Sequence, residues 1–196
     1  MTFSGIYETA GVRRLPVSPI DIARSLGITV INYKTAAEIF ETTSAELYLY
    51  SLAGFSFTEN GRCCIVLNEN ACCERRRRFT AAHELAHCVL GHLGDGGTAP
   101  TKKQEREAEH FAAELLAPLV VVRSCGIRSA EELARMCGIS KAAAENRLYE
   151  LAERERCGFC ATEDELRITE IFREFTEHYS PPRKTCYRKN LYIPIY

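Results

Sequence analysis

Residues 80–92 read Thr-Ala-Ala-His-Glu-Leu-Ala-His-Cys-Val-Leu-Gly-His, and the histidines at 83 and 87 decide how the rest of the chain is read. From Ala71 to about Leu90 the pattern is helical, and Gly91 is a stop signal. Side chains four apart on a helix share a face, so His83 and His87 can grip one Zn²⁺ while Glu84 points at a water on the metal. Two ordinary surface or core histidines are the bland alternative. A catalytic zinc needs a third protein ligand and one open position. The long metal motif HExxHxxGxxH would require Gly at 90 and His at 93; those positions hold Leu90 and Leu93, so His92 is out of register for that scheme.

A second helix supplies a better third ligand. It is expected from about Lys102 to Ala117, after a glycine-rich loop, with Ala108, Phe111, Ala112, Leu115 and Leu116 on its apolar face. Glu105 and Glu109 lie one turn apart at the edge of that face. Folded back along the first helix, the second would present Glu105 to the metal and leave Glu109 behind it, orienting a ligating histidine through its other ring nitrogen. Without the HExxH upstream, both would read as solvated charges, which is how Glu107 and Glu114 are read.

Upstream, Ser18 is an N-cap and Pro19 a first-turn residue for a short helix ended by Gly27. Residues 28–33 (ITVINY), 46–52 (ELYLYSL) and 62–68 (RCCIVLN) read as strands. Asn60-Gly61 predicts a tight turn joining 54–58 to 62–68 as a hairpin. The expected fold is α+β: a small antiparallel sheet packed on the HExxH helix, whose strand could hold an extended peptide by backbone hydrogen bonds.

TAAHELAHCVLGH followed by EREAEHFAAELLAP (residues 105–118) resembles the ImmA/IrrE family of zinc metallopeptidases. The family's second motif, of the form ExEANxFAAxLLxP, is matched by Glu105, Ala108, Phe111, Ala112, Ala113, Leu115, Leu116 and Pro118. The resemblance carries the third-ligand role onto Glu105 and implies a zincin-like core. Glu109 stands where the family usually has Asn. The segment LPVSPIDIARSLGITVINY and the hairpin around NGRCCIVLNE are similar to the family's N-terminal half, so the resemblance covers roughly residues 15–155. It implies a cytosolic endopeptidase with a narrow protein substrate, a helix-turn-helix DNA-binding repressor, whose cleavage derepresses a mobile element or a stress response. In such an enzyme Glu84 is the general base, and His110, His178, Tyr48 or Tyr50 could supply a second oxyanion donor.

Behind the core, residues 131–151 (EELARMCGISKAAAENRLYEL) have helix-turn-helix spacing, with helices at 130–137 and 141–156 and a turn at Gly138. Lys141, Asn146 and Arg147 would suit a DNA reader, but Glu145 and Glu150 dilute them, so packing or protein recognition is favoured over DNA contact. One further amphipathic piece is expected at 163–178. The organisation so read is a peptidase core over 1–125, the helical hairpin over 126–156, and a helix and tail over 157–196.

Composition fits this reading. Lys and Arg number 25 against 26 Asp and Glu, for a net charge of −1, which argues against a protein that coats nucleic acid. No apolar run is long enough to span a bilayer, and no signal peptide is visible, so the 10 cysteines are expected to be thiols. Cys157-Gly158-Phe159-Cys160 is a lone CxxC with only Cys186 downstream, short of a zinc ribbon. The run Arg75–Arg78 is either a basic patch near the site's mouth or a solvated helix start that opposes the helix dipole. Two rival functions remain open: a zinc-containing DNA- or protein-binding regulator without proteolysis, and a toxin–antitoxin partner acting by complex formation.

Overall fold

The computed structural model describes residues 1–70, 73–93 and 99–179. Its frame is a three-stranded sheet with α-helices on both faces, so the class is α+β as expected. After α1 (Phe3–Thr9) and α2 (Pro19–Ser25) come β1 (Thr29–Asn32), α3 (Tyr33–Ile39), α4 (Ser44–Tyr50), β2 (Gly54–Glu59) and β3 (Arg62–Leu67). The strand order is β1-β3-β2. The hairpin forms as its turn residues dictate: Asn60 and Gly61 take φ of 51° and 72°, the left-handed pair that a two-residue turn needs, and Phe55 faces Val66 across antiparallel strands. The sheet is nevertheless mixed rather than antiparallel throughout. β1 runs parallel to β3, with Val30 opposite Ile65, because α3, α4 and β2 intervene and return the chain from the other side.

Two upstream expectations are corrected. Residues 46–52 are not a strand; Ser44–Tyr50 is helical. Thr43 and Glu46 form a reciprocal capping box, and that local signal overrides the β-propensity of the Leu-Tyr-Leu-Tyr run. Tyr33 leaves the strand because the Asn32 side chain accepts from the Thr35 amide and starts α3 there. α1 has no counterpart in the sequence reading. It is a seven-residue helix fixed from a distance: Asp164 accepts from the amides of both Phe3 and Ser4 at 3.1 Å.

The functional half begins with α5 (Glu74–Leu90) and α6 (Lys102–Leu116). They pack on each other through small residues, Ala81, Ala82 and Ala86 on one and Ala108 and Ala112 on the other, all buried. Short side chains let the two backbones approach, and Leu85, Leu115 and Leu116 fill the space around them. β2 and β3 pack on α5 as well. Gly54, at the start of β2, is required by this approach: a Cβ there would lie 2.8 Å from the Val66 carbonyl and 3.0 Å from Thr80 Cγ2.

The remaining elements are α7 (Leu119–Ser124), α8 (Ala130–Cys137), α9 (Lys141–Arg156), α10 (Glu163–Ile171) and α11 (Arg173–Tyr179). α8 and α9 match the expected hairpin, with Gly138 at φ 65° and Ser140 capping α9. The single amphipathic piece expected at 163–178 is two helices meeting at Phe172, which is fully buried. Leu133, Leu151, Ile168 and Phe172 share one core with Leu85 and Leu115. Among the described residues no helix is long and apolar enough to cross a membrane. Cys186 and the tyrosine-rich tail lie outside the described residues, as do Gly94, Gly96 and Gly97 of the loop before α6. Cys157 and Cys160 are exposed and free.

Candidate metal centre

The geometry starts from α5. His83 and His87, one turn apart, bring their Nε2 atoms to 3.1 Å. α6 begins at the capping box of Thr101 and Gln104, which sets the direction of its first turn and thereby of Glu105. From there Glu105 Oε2 lies 3.2 Å from His83 Nε2, and Glu105 Oε1 lies 3.8 Å from His87 Nε2. Two imidazole nitrogens and one carboxylate form the metal-capable group.

Three ligands held tetrahedrally at about 2.0–2.1 Å from one Zn²⁺ are about 3.4 Å apart. The observed separations bracket that value. The donor set of two nitrogens and one oxygen is also of the kind zinc takes. Burial, and next the neighbouring His83, push the His87 imidazole down to about 4, so it is neutral with a lone pair to offer at physiological pH. His83, His87 and Glu105 are therefore brought together as the sequence reading expected.

Glu84 points from the same helix turn into the same cleft. It is almost wholly buried, and desolvation raises its carboxyl above the usual glutamate range; the hydrogen bond from Ser56 Oγ, 2.7 Å from Oε2, acts in the opposite sense. Ser56 stands on β2, the edge strand, which pairs only with β3 among the described residues. The cleft holds about 340 Å³. β2 forms one wall, His83, Glu84, His87 and Glu105 its floor, and Tyr50, Leu93 and Pro100 its rim. Ser56 escaped the sequence reading. Alternation along Gly54–Glu59 was the available signal, since it puts Phe55 and Phe57 on one face and Ser56 and Thr58 on the other.

Several expectations change here. Glu109 is exposed and has no hydrogen-bond or ion-pair partner among the described residues, so it does not orient a histidine. It sits four residues beyond Glu105, about 6 Å further along the helix axis, and is carried past the cleft. The partner of His87 is His92, with their Nδ1 atoms 3.1 Å apart, and His92 Nε2 in turn lies 3.2 Å from Glu107. The left-handed Gly91, at φ 68°, turns the chain so that the His92 amide bonds back to the His87 carbonyl and the ring folds under its neighbour. Among the candidate oxyanion donors only Tyr50 lines the cleft. Tyr48 accepts from the Asn70 side-chain amide, His110 is exposed beside Glu150, and His178 lies on α11. The Arg75–Arg78 run sits at the start of α5, about 7.5 to 12 Å along the axis from His83. Arg78 turns inward and donates to the carbonyls of Val17 and Cys137.

An HExxH helix, an acidic donor from the next helix and a free strand edge beside them characterise metallopeptidase-type folds. Residues 25–149 match the model of the peptidase M78 family, the IrrE N-terminal-like domain, and the chain belongs to that family. The matched range falls within the 15–155 over which the two motifs resembled ImmA/IrrE peptidases. No curated protein matches the chain.

Proposed function

We propose that this chain is an intracellular zinc endopeptidase that cuts a peptide bond in a narrow protein substrate, a helix-turn-helix DNA-binding repressor. The observation that carries the hydrolytic reading is Glu84. A purely structural metal site has no use for a buried carboxylate that is not a ligand, yet here one sits beside the metal donors and is held by Ser56. His83 Nε2, His87 Nε2 and a Glu105 carboxylate oxygen would hold the metal. When bound, Zn²⁺ polarises the scissile carbonyl and acidifies the attacking water. Glu84 would take the proton from that water as the C–O bond forms to the scissile carbonyl, then deliver it to the amide nitrogen as the C–N bond breaks, leaving a carboxylate and an amine. Tyr50 Oη, at the cleft rim, would donate to the oxyanion. The unpaired edge of β2 would bind the substrate as an added strand.

The repressor is proposed from the family resemblance, and the cytoplasm follows from the location of such a partner. Cleavage of a candidate repressor, followed by mass spectrometry with and without chelator, tests both; wild-type protein should give one zinc-dependent cut. The rival reading, a DNA-binding regulator, draws less support. Arg147, which it needs on an exposed helix face, is 3% exposed and donates to the Ala117 carbonyl, while Lys141 is tied to Glu131 at 2.6 Å.

A further inference from the structure

His87 can offer Nε2 to a metal only if its proton resides on Nδ1, and the structure contains a device that decides this. His87 Nδ1 and His92 Nδ1 are 3.1 Å apart, so one ring must donate to the other. His92 is 6% exposed at its side chain, so solvent does not provide an alternative partner for the ring. Its other nitrogen, Nε2, faces Glu107 Oε2 at 3.2 Å. A carboxylate only accepts, so Nε2 of His92 must carry a proton. In a neutral His92 ring that leaves Nδ1 as an acceptor, and the proton between the two rings then belongs to His87 Nδ1. The reverse direction would require either a bare His92 Nε2 lone pair against the carboxylate or a second proton, and hence a charge, on the buried His92 ring. Glu107 thus fixes His92, and His92 fixes His87.

His83 has no such support: its Nδ1 is buried and without a partner among the described residues. The two histidines of the motif are therefore unlike, one preset as a ligand and the other not. We infer that Glu107 and His92 are positioning residues that lock His87 in its metal-binding tautomer. This rests on the metal site proposed above. Outer partners of metal-ligating histidines typically change affinity by about 10- to 100-fold.

The test compares wild-type protein with Glu107→Leu, Glu107→Gln and His92→Leu. Zinc affinity is read by competition with a chromogenic chelator, and the His87 tautomer by proton–nitrogen correlation spectra of the metal-free ring nitrogens. Glu107→Leu should lose about 10- to 100-fold in zinc affinity, and its His87 should cease to be purely Nδ1-protonated. Glu107→Gln retains an oxygen acceptor and should recover most of the affinity, which a merely structural role would not require. Thermal denaturation of each variant checks the fold. If His92→Leu fails to fold, the two Glu107 variants carry the test, since Glu107 is partly exposed. Zinc bound as tightly by Glu107→Leu as by wild type, or a wild-type His87 protonated on Nε2, overturns the inference alone. A wild-type chain that binds no zinc overturns the metallopeptidase reading and this role together.

Discussion

Arg147→Met should unfold the C-terminal half of the protein far more readily than removal of a helix-surface arginine would. Arg147 lies on the helix that a DNA reader would expose, yet its guanidinium is inserted beneath it. Nε and one terminal nitrogen donate to the Ala117 carbonyl at 3.1 and 2.7 Å, and the same group ion-pairs with Glu114 and with Glu150. Side-chain exposure is 3% for Arg147 and 12% for Glu114, so solvent screens this pair little. Methionine fills the volume but strands the Glu114 carboxylate and the Ala117 carbonyl at the end of α6. Breaking a buried pair from one side costs about 3–5 kcal/mol. At roughly 2–4 °C per kcal/mol for a chain of this size, Tm should fall by about 6–20 °C. Urea denaturation of Arg147→Met, Glu114→Gln and the double variant measures it. The double variant should lose less than the sum of the singles, with a coupling of about 1–3 kcal/mol, because neutralising Glu114 removes the stranded charge. A loss below 1 kcal/mol for Arg147→Met, or strict additivity, would refute the claim that α9 is a structural brace for α6 and restore Arg147 as a candidate surface contact.

Glu84→Gln should keep zinc and fold but lose cleavage by about 10²–10⁴-fold, measured as initial rate on the repressor substrate. Glu105→Ala should weaken zinc binding by orders of magnitude while Glu109→Ala leaves it unchanged, as read by chelator competition; equal effects would mean the wrong third ligand. Gly54→Ala should destabilise the fold by about 1–3 kcal/mol, since its Cβ meets the Val66 carbonyl backbone, and calorimetry reads the shift. The Arg154 side chain, 2.5 Å from Glu165, holds that carboxyl below the ordinary glutamate range. A depressed folded pKa stabilises above the unfolded value and is lost as pH falls through the folded one. The α9–α10 junction should therefore weaken on acidification below about pH 4.5, and Glu165→Gln should flatten that part of the stability profile.

The readable parts of the chain were those where local signals and long-range packing agree. HExxH, the Asn60-Gly61 turn, the Ser18 and Ser140 caps and the apolar face of α6 each name their structure without help from a distant partner. Residues 46–52 were misread because β-propensity and the capping box conflict there and the box prevails. α1 has a local cap, the Thr2 hydroxyl accepting from the Gly5 amide, but its seven residues are too few for a periodic pattern, and it is held by a carboxylate 160 residues away. In the site, ligands at fixed helical spacing were legible. Ser56, His92 and Glu107 were not, since their roles depend on how strand, turn and second helix dock. Glu109 and Glu107 lie on the same acidic helix start, and only the packing of α6 against α5 and the turn at Gly91 distinguishes the one beside His92 from the one in solvent.

Crystals of the zinc-loaded protein, with anomalous diffraction collected at the zinc edge, test the central claim most directly. One ion per chain should appear, bonded to Nε2 of His83, Nε2 of His87 and a carboxylate oxygen of Glu105 at about 2.0–2.2 Å, with a remaining position open to solvent. Zinc absent from this cleft, or held there with the Glu105 carboxylate turned away, would contradict the account.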